Sequence, residues 1–236
     1  MEQHWRKTPF IKRLEMIEVI EGSVRRAMME TGEIQVAPLD PKDQPAMLQK
    51  GFVKQPEGYY SRWAVGFAGN HWETTKYGGD KALNRVKHPD WPWVGDPADP
   101  VSMEKARKVR LAMSLDIDRE GIAKSVMMDI GRPFYMYELS TDDPYWQDKW
   151  KIAYDPKKAK QLLTEAGYPN GFTFYYRSDT GGLELEVTEA LASTWRTDLN
   201  IKAEITKVAY STFRPSIINH TAIPWFCGDG VSTFPT

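Results

Sequence analysis

Hydrophobic positions along the chain fall into short periodic segments punctuated by turn residues. Arg13–Ile20 (RLEMIEVI) alternates partially in β-capable residues and predicts a strand that Glu21-Gly22 ends. Ser23 stands where an N-cap belongs, Val24–Glu30 reads as a helix, and Gly32 follows at C′, where a left-handed residue can close it. Further strands are predicted over Ile34–Leu39 and Tyr59–Phe67. Between them the turn-rich stretch Asp40–Pro56 carries a short helix at Gln44–Lys50. Gly69–Pro100 holds too many Gly, Pro and Asp for regular structure and reads as a long loop, functional or an embellishment.

The strongest helical pattern opens at Ser102, with Ala106, Val109, Met113 and Ile117 on one stripe. Asp118 can cap a second helix, Arg119–Met128, and Tyr135–Tyr154 has no period and reads as a loop packed on the body. In YDPKKAKQLLTEAGYPNGF, Asp155 is an N-cap acceptor and Pro156 suits the first helical position. Ala159, Leu162, Leu163 and Ala166 form the apolar face, while Lys157, Lys158 and Lys160 stay in solvent. Gly167 ends this helix, Pro169-Asn170-Gly171 makes a turn, and Phe172, Phe174 and Tyr176 alternate into a strand. Leu183, Val187, Ala190, Leu191, Thr194 and Trp195 then trace a long amphipathic helix, followed by a strand at Ile201, Ala203 and Ile205. Strand, helix, strand implies a parallel pair joined by a right-handed crossover, so this part is α/β.

Composition narrows the classes. A chain of 236 residues holds one large or two modest folding units. With 31 Lys+Arg against 32 Asp+Glu there is no charge excess to attract a polyanion, and nucleic acid is not an expected partner. The one cysteine, Cys227, excludes an intrachain disulfide and a Cys-based zinc cluster, and is read as a small buried residue. No run of about 18 apolar residues is present, and the opening MEQHWRKTPFIKR is too polar for the core of a signal peptide. The 9 Trp suit either a thick core or a ligand groove.

Catalytic signatures are missing: no phosphate-binding glycine loop, no HExxH and no GxSxG. His4, His71, His88 and His220 are scattered without metal-ligand spacing, and the Asp96–Asp99 and Asp142-Asp143 stretches lack the pattern of a calcium loop. A carboxylate pair of the glycosidase kind stays open, because one dimension cannot place two acids across a cleft.

VRLAMSLDIDREGI (Val109–Ile122), YDPKKAKQLLTEAGYPNGF (Tyr154–Phe172) and EALASTWRTDLNIKAEI (Glu189–Ile205), in that order and at that separation, carry a resemblance. So does the upstream stretch HWRKTPFIKRLEMIEVIEGSVRRAMMETGEIQVAPL. Together they resemble the extracellular solute-binding proteins, family five, the substrate-binding components of peptide-type ABC importers. The resemblance implies a truncated α/β lobe of the periplasmic-binding-protein type (class II), with a mixed sheet flanked by helices. It places the end of a first lobe at 1–58, a first inter-lobe crossing at 59–69, a second lobe at 70–223 and the start of a second crossing at 224–236. On this reading the chain is about half of a longer protein and binds ligand weakly by itself.

The same resemblance implies a non-enzymatic, monomeric protein without cofactor or metal, capturing peptides or similar small polar solutes between two lobes. Its partner is an ABC permease in the inner membrane, and its parent is periplasmic or lipid-anchored, with no signal peptide in this sequence. Asp229 matches the aspartate that receives a ligand ammonium in dipeptide- and oligopeptide-binding members; the other reading of Gly228-Asp229-Gly230 is a plain turn. Arg177 lies near the place of an arginine that holds a ligand carboxylate, its other reading being a solvated loop arginine. Trp225, Phe226 and Phe67 fall on the crossings as groove-lining aromatics. An oligosaccharide-binding member of the family, a chemoreceptor-coupled or chaperone-like binding module and a carboxylate-pair hydrolase remain as alternatives.

Overall fold

Helix α1 (Gly22–Thr31) ends where Gly32 takes up φ 80° and turns its N–H onto the carbonyls of Met28 and Met29. The predicted stop is thus in place, but the start is Glu21, which makes no side-chain cap, rather than Ser23. The computed structural model describes residues 11–54, 59–69, 88–136, 139 and 141–232, with side chains for all but 59–62 and 226–232. The chain divides into two compact units, Met1–Phe52 and Val53–Thr236. That division falls a few residues before the expected boundary at 58.

The first unit holds α1 and, after a 3-10 turn at Pro41–Asp43, the short α2 (Gln44–Gln49). The strands expected at 13–20 and 34–39 do not form; both segments are unpaired among the described residues. A strand is a property of a pair of segments, and alternation without a hydrogen-bonding neighbour leaves backbone groups to solvent. Leu14, Met16, Ile17 and Ile20 are accordingly 61–90% exposed. Arg25 ties these segments instead: it donates to the carbonyls of Val19 at 2.8 Å, Ile20 at 2.6 Å and Pro38 at 3.0 Å.

In the second unit a four-stranded sheet has the order β1-β4-β2-β3. Its strands are β1 (Tyr59–Gly66), β2 (Thr173–Ser178), β3 (Lys202–Lys207) and β4 (Trp225–Ser232). β2 runs parallel to β3 and to β4, whereas β1 and β4 are antiparallel, so the sheet is mixed.

Helix α3 (Pro100–Leu115) begins two residues before Ser102, because Asp99 is the cap, accepting from the Val101 N–H at 2.9 Å, with Pro100 behind it. Asp118 caps α4 at the Gly121 N–H, but α4 (Arg119–Ser125) stops before Met128 and Asp129, whose φ values of 49° and 58° form a turn. α5 (Pro156–Glu165) follows its predicted design closely, from the Asp155 cap on the Lys158 N–H to Gly167 at φ 98°. α6 (Gly182–Leu199) connects β2 to β3. α7 (Tyr210–Ile218) was not foreseen; Pro215 within it breaks the helical pattern, and Phe213 is its one buried residue.

The core lies where α3, α5 and α6 meet the sheet, with Val109, Met113, Leu163, Tyr176 and Trp195 fully or almost fully buried. Trp93 is buried at its centre, within 5.1–6.1 Å of the rings of Phe67, Trp91, Phe172 and Phe174. Most of the long loop between Gly69 and Pro100, residues 70–87, lies outside the described residues.

Candidate functional site

β4 starts at Trp225, which is in register with Arg177 near the carboxyl end of β2, and then continues past the last residue of β2. β1 accompanies it antiparallel from Gly66↔Trp225 to Tyr59↔Ser232. At about 3.4 Å per residue this two-stranded ribbon reaches roughly 24 Å. Carboxyl ends of strands in open α/β sheets are where ligands are usually held, because loops and helix ends converge there. Within the ribbon Arg62 is the register partner of Asp229.

Two of the sequence-derived site residues, Trp225 and Arg177, pack against Phe213 at the base of the ribbon, while Phe67 packs into the main core. The Trp225 ring stands 6.1 Å from that of Phe213 on α7 and covers Gly66, where a Cβ would sit 2.9 Å from the indole. Phe67, the next residue along, is half-buried with its ring 5.6 Å from Trp93. Arg177 binds the carbonyl of Pro224, just before β4, through its own N–H at 2.8 Å. The side chains of Phe226, Cys227 and Asp229 lie outside the described set; their backbone belongs to β4.

Arg177 is no solvated loop residue: its side chain is 1% exposed. The guanidinium donates to the Val208 carbonyl at 2.8 Å, to Glu184 at 2.8 Å and to Asp179 at 3.2 Å, and lies 5.4 Å from the centre of the Phe213 ring. Glu184 also accepts from the Asp179 N–H at 2.8 Å. Burial pushes the Glu184 carboxyl above its ordinary range, and the Arg177 charge opposes that rise. Sequence reasoning found Arg177 and missed Glu184, Asp179 and Val208. The usable signal was an acid in the first turn of a helix that opens on two glycines, just after a strand that ends in Arg177-Ser178.

A concavity of about 410 Å³ lies elsewhere, between α6 and β3, bordered by Glu189, Arg196, Lys202 and Glu204. Its two acids are accompanied by two cations, and Glu189 is also paired with Lys207 at 3.2 Å. Among the described residues no group of three or more His, Cys, Asp or Glu is placed to hold a metal ion.

Residues 2–233 match the family model of the bacterial extracellular solute-binding proteins, family 5 Middle. Over 65 residues the chain is 42% identical to heme-binding protein A of Haemophilus influenzae, covering 28% of this chain and 12% of that protein. Over 114 residues it is 30% identical to the periplasmic oligopeptide-binding protein OppA of Salmonella typhimurium, covering 45% and 21%. The fold is similar to that of the periplasmic oligopeptide-binding protein OppAIV of Borrelia burgdorferi, with a TM-score of 0.60 and 20% identity over 89% of this chain and 37% of that one. The chain therefore spans well under half the length of the relatives it matches.

Proposed function

The chain belongs to the bacterial extracellular solute-binding proteins, family 5, a family of binding proteins rather than enzymes, and from that premise we propose that it forms one lobe and the inter-lobe ribbon of an ABC importer's substrate-binding component. In this reading the parent protein resides in the periplasm, captures peptides or similar small polar solutes in the cleft between two lobes, and delivers them to an inner-membrane permease. Residues 1–52 belong to the end of the other lobe, β1 is the first crossing and β4 the second.

The observation that carries this reading is the ribbon itself, which runs past the carboxyl end of β2 with an acid and a base, Asp229 and Arg62, at one register position. A carboxylate enclosed by a closing cleft makes a charge-assisted hydrogen bond to a ligand ammonium that an exposed carboxylate cannot match. Closure about the crossings supplies the second wall. Arg177, with its guanidinium engaged by Glu184, Asp179 and Val208, supports the base of the ribbon. Trp225, lying over Gly66 and beside Phe213, offers an apolar surface there.

Calorimetry on the parent protein with a peptide library, an oligosaccharide set and heme tests this. Peptides are expected to bind, and Asp229→Asn to lower their affinity at least tenfold, about 1.4 kcal/mol. Tight sugar or heme binding unaffected by Asp229→Ala would overturn the peptide reading.

A further inference from the structure

Asp116, just past the end of α3, is wholly buried, yet neither of its carboxylate oxygens has a hydrogen-bond partner among the described residues. Another acid, Asp198 in the last turn of α6, lies beside it, where the Trp195 indole N–H of α6 donates to the Met113 carbonyl of α3 at 3.0 Å. Asp198 is held in turn by the Tyr154 hydroxyl, which donates to its Oδ2 at 3.1 Å. Asp116 is fully enclosed while Asp198 is half-buried, and a carboxylate enclosed beside a second acid without a donor or a cation is disfavoured in its charged form.

Among the described residues no cation bonds to either Asp116 oxygen. Among the described residues the charge that bears on Asp116 is that of Asp198. Arg119 of α4 sends its guanidinium to the carbonyls of Ser114, Ile117 and Phe134 and to the Ser114 hydroxyl. Asp118 and Asp155 are occupied as caps of α4 and α5. The Asp116 N–H closes the last turn of α3 on the Ala112 carbonyl at 3.1 Å, so the acid sits at the negative end of that helix, which opposes a further negative charge.

We propose that Asp116 and Asp198 share a proton, Asp116 donating and Asp198 accepting, and that this carboxyl pair latches the end of α3 to the end of α6 and releases as the medium turns alkaline. Burial, and then the Asp198 charge, push the Asp116 carboxyl from an ordinary 3.8 up to about 7. The Tyr154 hydroxyl, pushed up to about 12 by burial and by Asp198, keeps its proton throughout. Because the folded-state value of Asp116 is raised, the folded chain keeps a proton that the unfolded chain has lost. The stabilisation is full below about 4 and is lost as the pH climbs through about 7.

Thermal melts of the chain from pH 4 to 9 test the latch. The midpoint is expected to fall from about pH 4 and to level off above about 7. Asp116→Asn, which keeps the size and can still donate to Asp198, is expected to remove that component of the slope and to melt several degrees above the wild type at pH 8. A carbon-detected NMR titration of the wild-type Asp116 carboxyl reads the same proton directly, whatever the variant's folding. An inflection near 4, or an unchanged slope in Asp116→Asn, would overturn the proposal. So would stabilisation of the wild type by calcium or magnesium at pH 8 that Asp116→Asn abolishes, which would make the pair a cation site.

Discussion

The indole N–H of Trp93 donates to the carbonyl oxygen of Ala68 at 2.8 Å, joining the segment just after β1 to the approach to α3. Both residues are buried, so neither polar group has solvent to fall back on. Trp93→Phe keeps most of the ring contacts and orphans the carbonyl, and is expected to cost about 1–3 kcal/mol. Trp93→Ala, which also empties the centre of the aromatic cluster, is expected to cost about 3–5 kcal/mol. Urea unfolding followed by tryptophan fluorescence checks both.

Arg177 is buried and Glu184 half-buried in their ion pair, and removing the acid leaves the enclosed guanidinium with one charge partner fewer. Arg177→Leu is expected to destabilise the second unit by about 3 kcal/mol or more. Arg177→Lys is expected to recover only part of this, since one ammonium cannot span Val208, Glu184 and Asp179 as the planar fork does. A double-mutant cycle with Glu184→Gln measures the coupling, which independent residues would not show.

Gly171 adopts φ +70°, and a Cβ there would collide with the backbone carbonyl of Asn200. Around it the Asn200 side chain donates to the Asn170 carbonyl at 2.6 Å, and the Lys202 N–H to the Phe172 carbonyl at 2.8 Å, so the turn before β2 is stitched to the turn before β3. Gly171→Ala is therefore expected to cost at least about 2 kcal/mol, through the left-handed backbone and the clash together. Chemical denaturation beside a Gly181→Ala control, where nothing lies near the added atom, separates this from a general glycine effect.

In the first unit Glu30 accepts from Arg26 at 2.9 Å and from Lys50 at 3.0 Å, and Arg26 also reaches Asp43 at 2.7 Å. The bonds to Arg26 and Lys50 hold the Glu30 carboxyl below its ordinary 4.5. A lowered value means the contribution is present above 4.5 and is lost as the pH falls through the folded-state value. Protection factors of the α1 amides, with the intrinsic pH dependence of exchange divided out, are expected to fall on acidification in the wild type. Glu30→Gln is expected to lose most of that dependence.

The chain by itself is expected to bind peptides far more weakly than its parent protein, because one wall of a two-walled cleft lacks the contacts made on closure. Parallel calorimetry on the two proteins checks this. Micromolar binding by the chain alone would refute the assignment of 59–69 and 224–236 as inter-lobe crossings.

Tyr154–Phe172 was legible residue by residue because every role in it is local. The Asp155 cap, Pro156 at the first turn, the apolar face of α5 and the glycine stop all act within about four positions. The strands expected at 13–20 and 34–39 failed because alternation states only that a segment could pair, not that a partner is there. α7 was hidden by Pro215, and the Arg177 network by distance, since Val208 lies 31 positions from the arginine it binds. Phe67 directly follows β1 and Trp225 opens β4. That they rest against Trp93 and Phe213 depended on how the sheet edge folds over α7 and the core.

By itself, then, the sequence determined the short-range structure and the family: helix caps, glycine stops, the order strand, helix, strand, and three motifs whose conjunction points to solute-binding proteins. Such features rest on backbone geometry and on the period of burial, both carried by neighbouring residues. Only the tertiary structure decided that β4 lies between β1 and β2, that Arg177 is committed inward, and that Asp116 meets Asp198. Those are energies of burial and charge between residues far apart in the chain, and they exist only once folding removes water from between them.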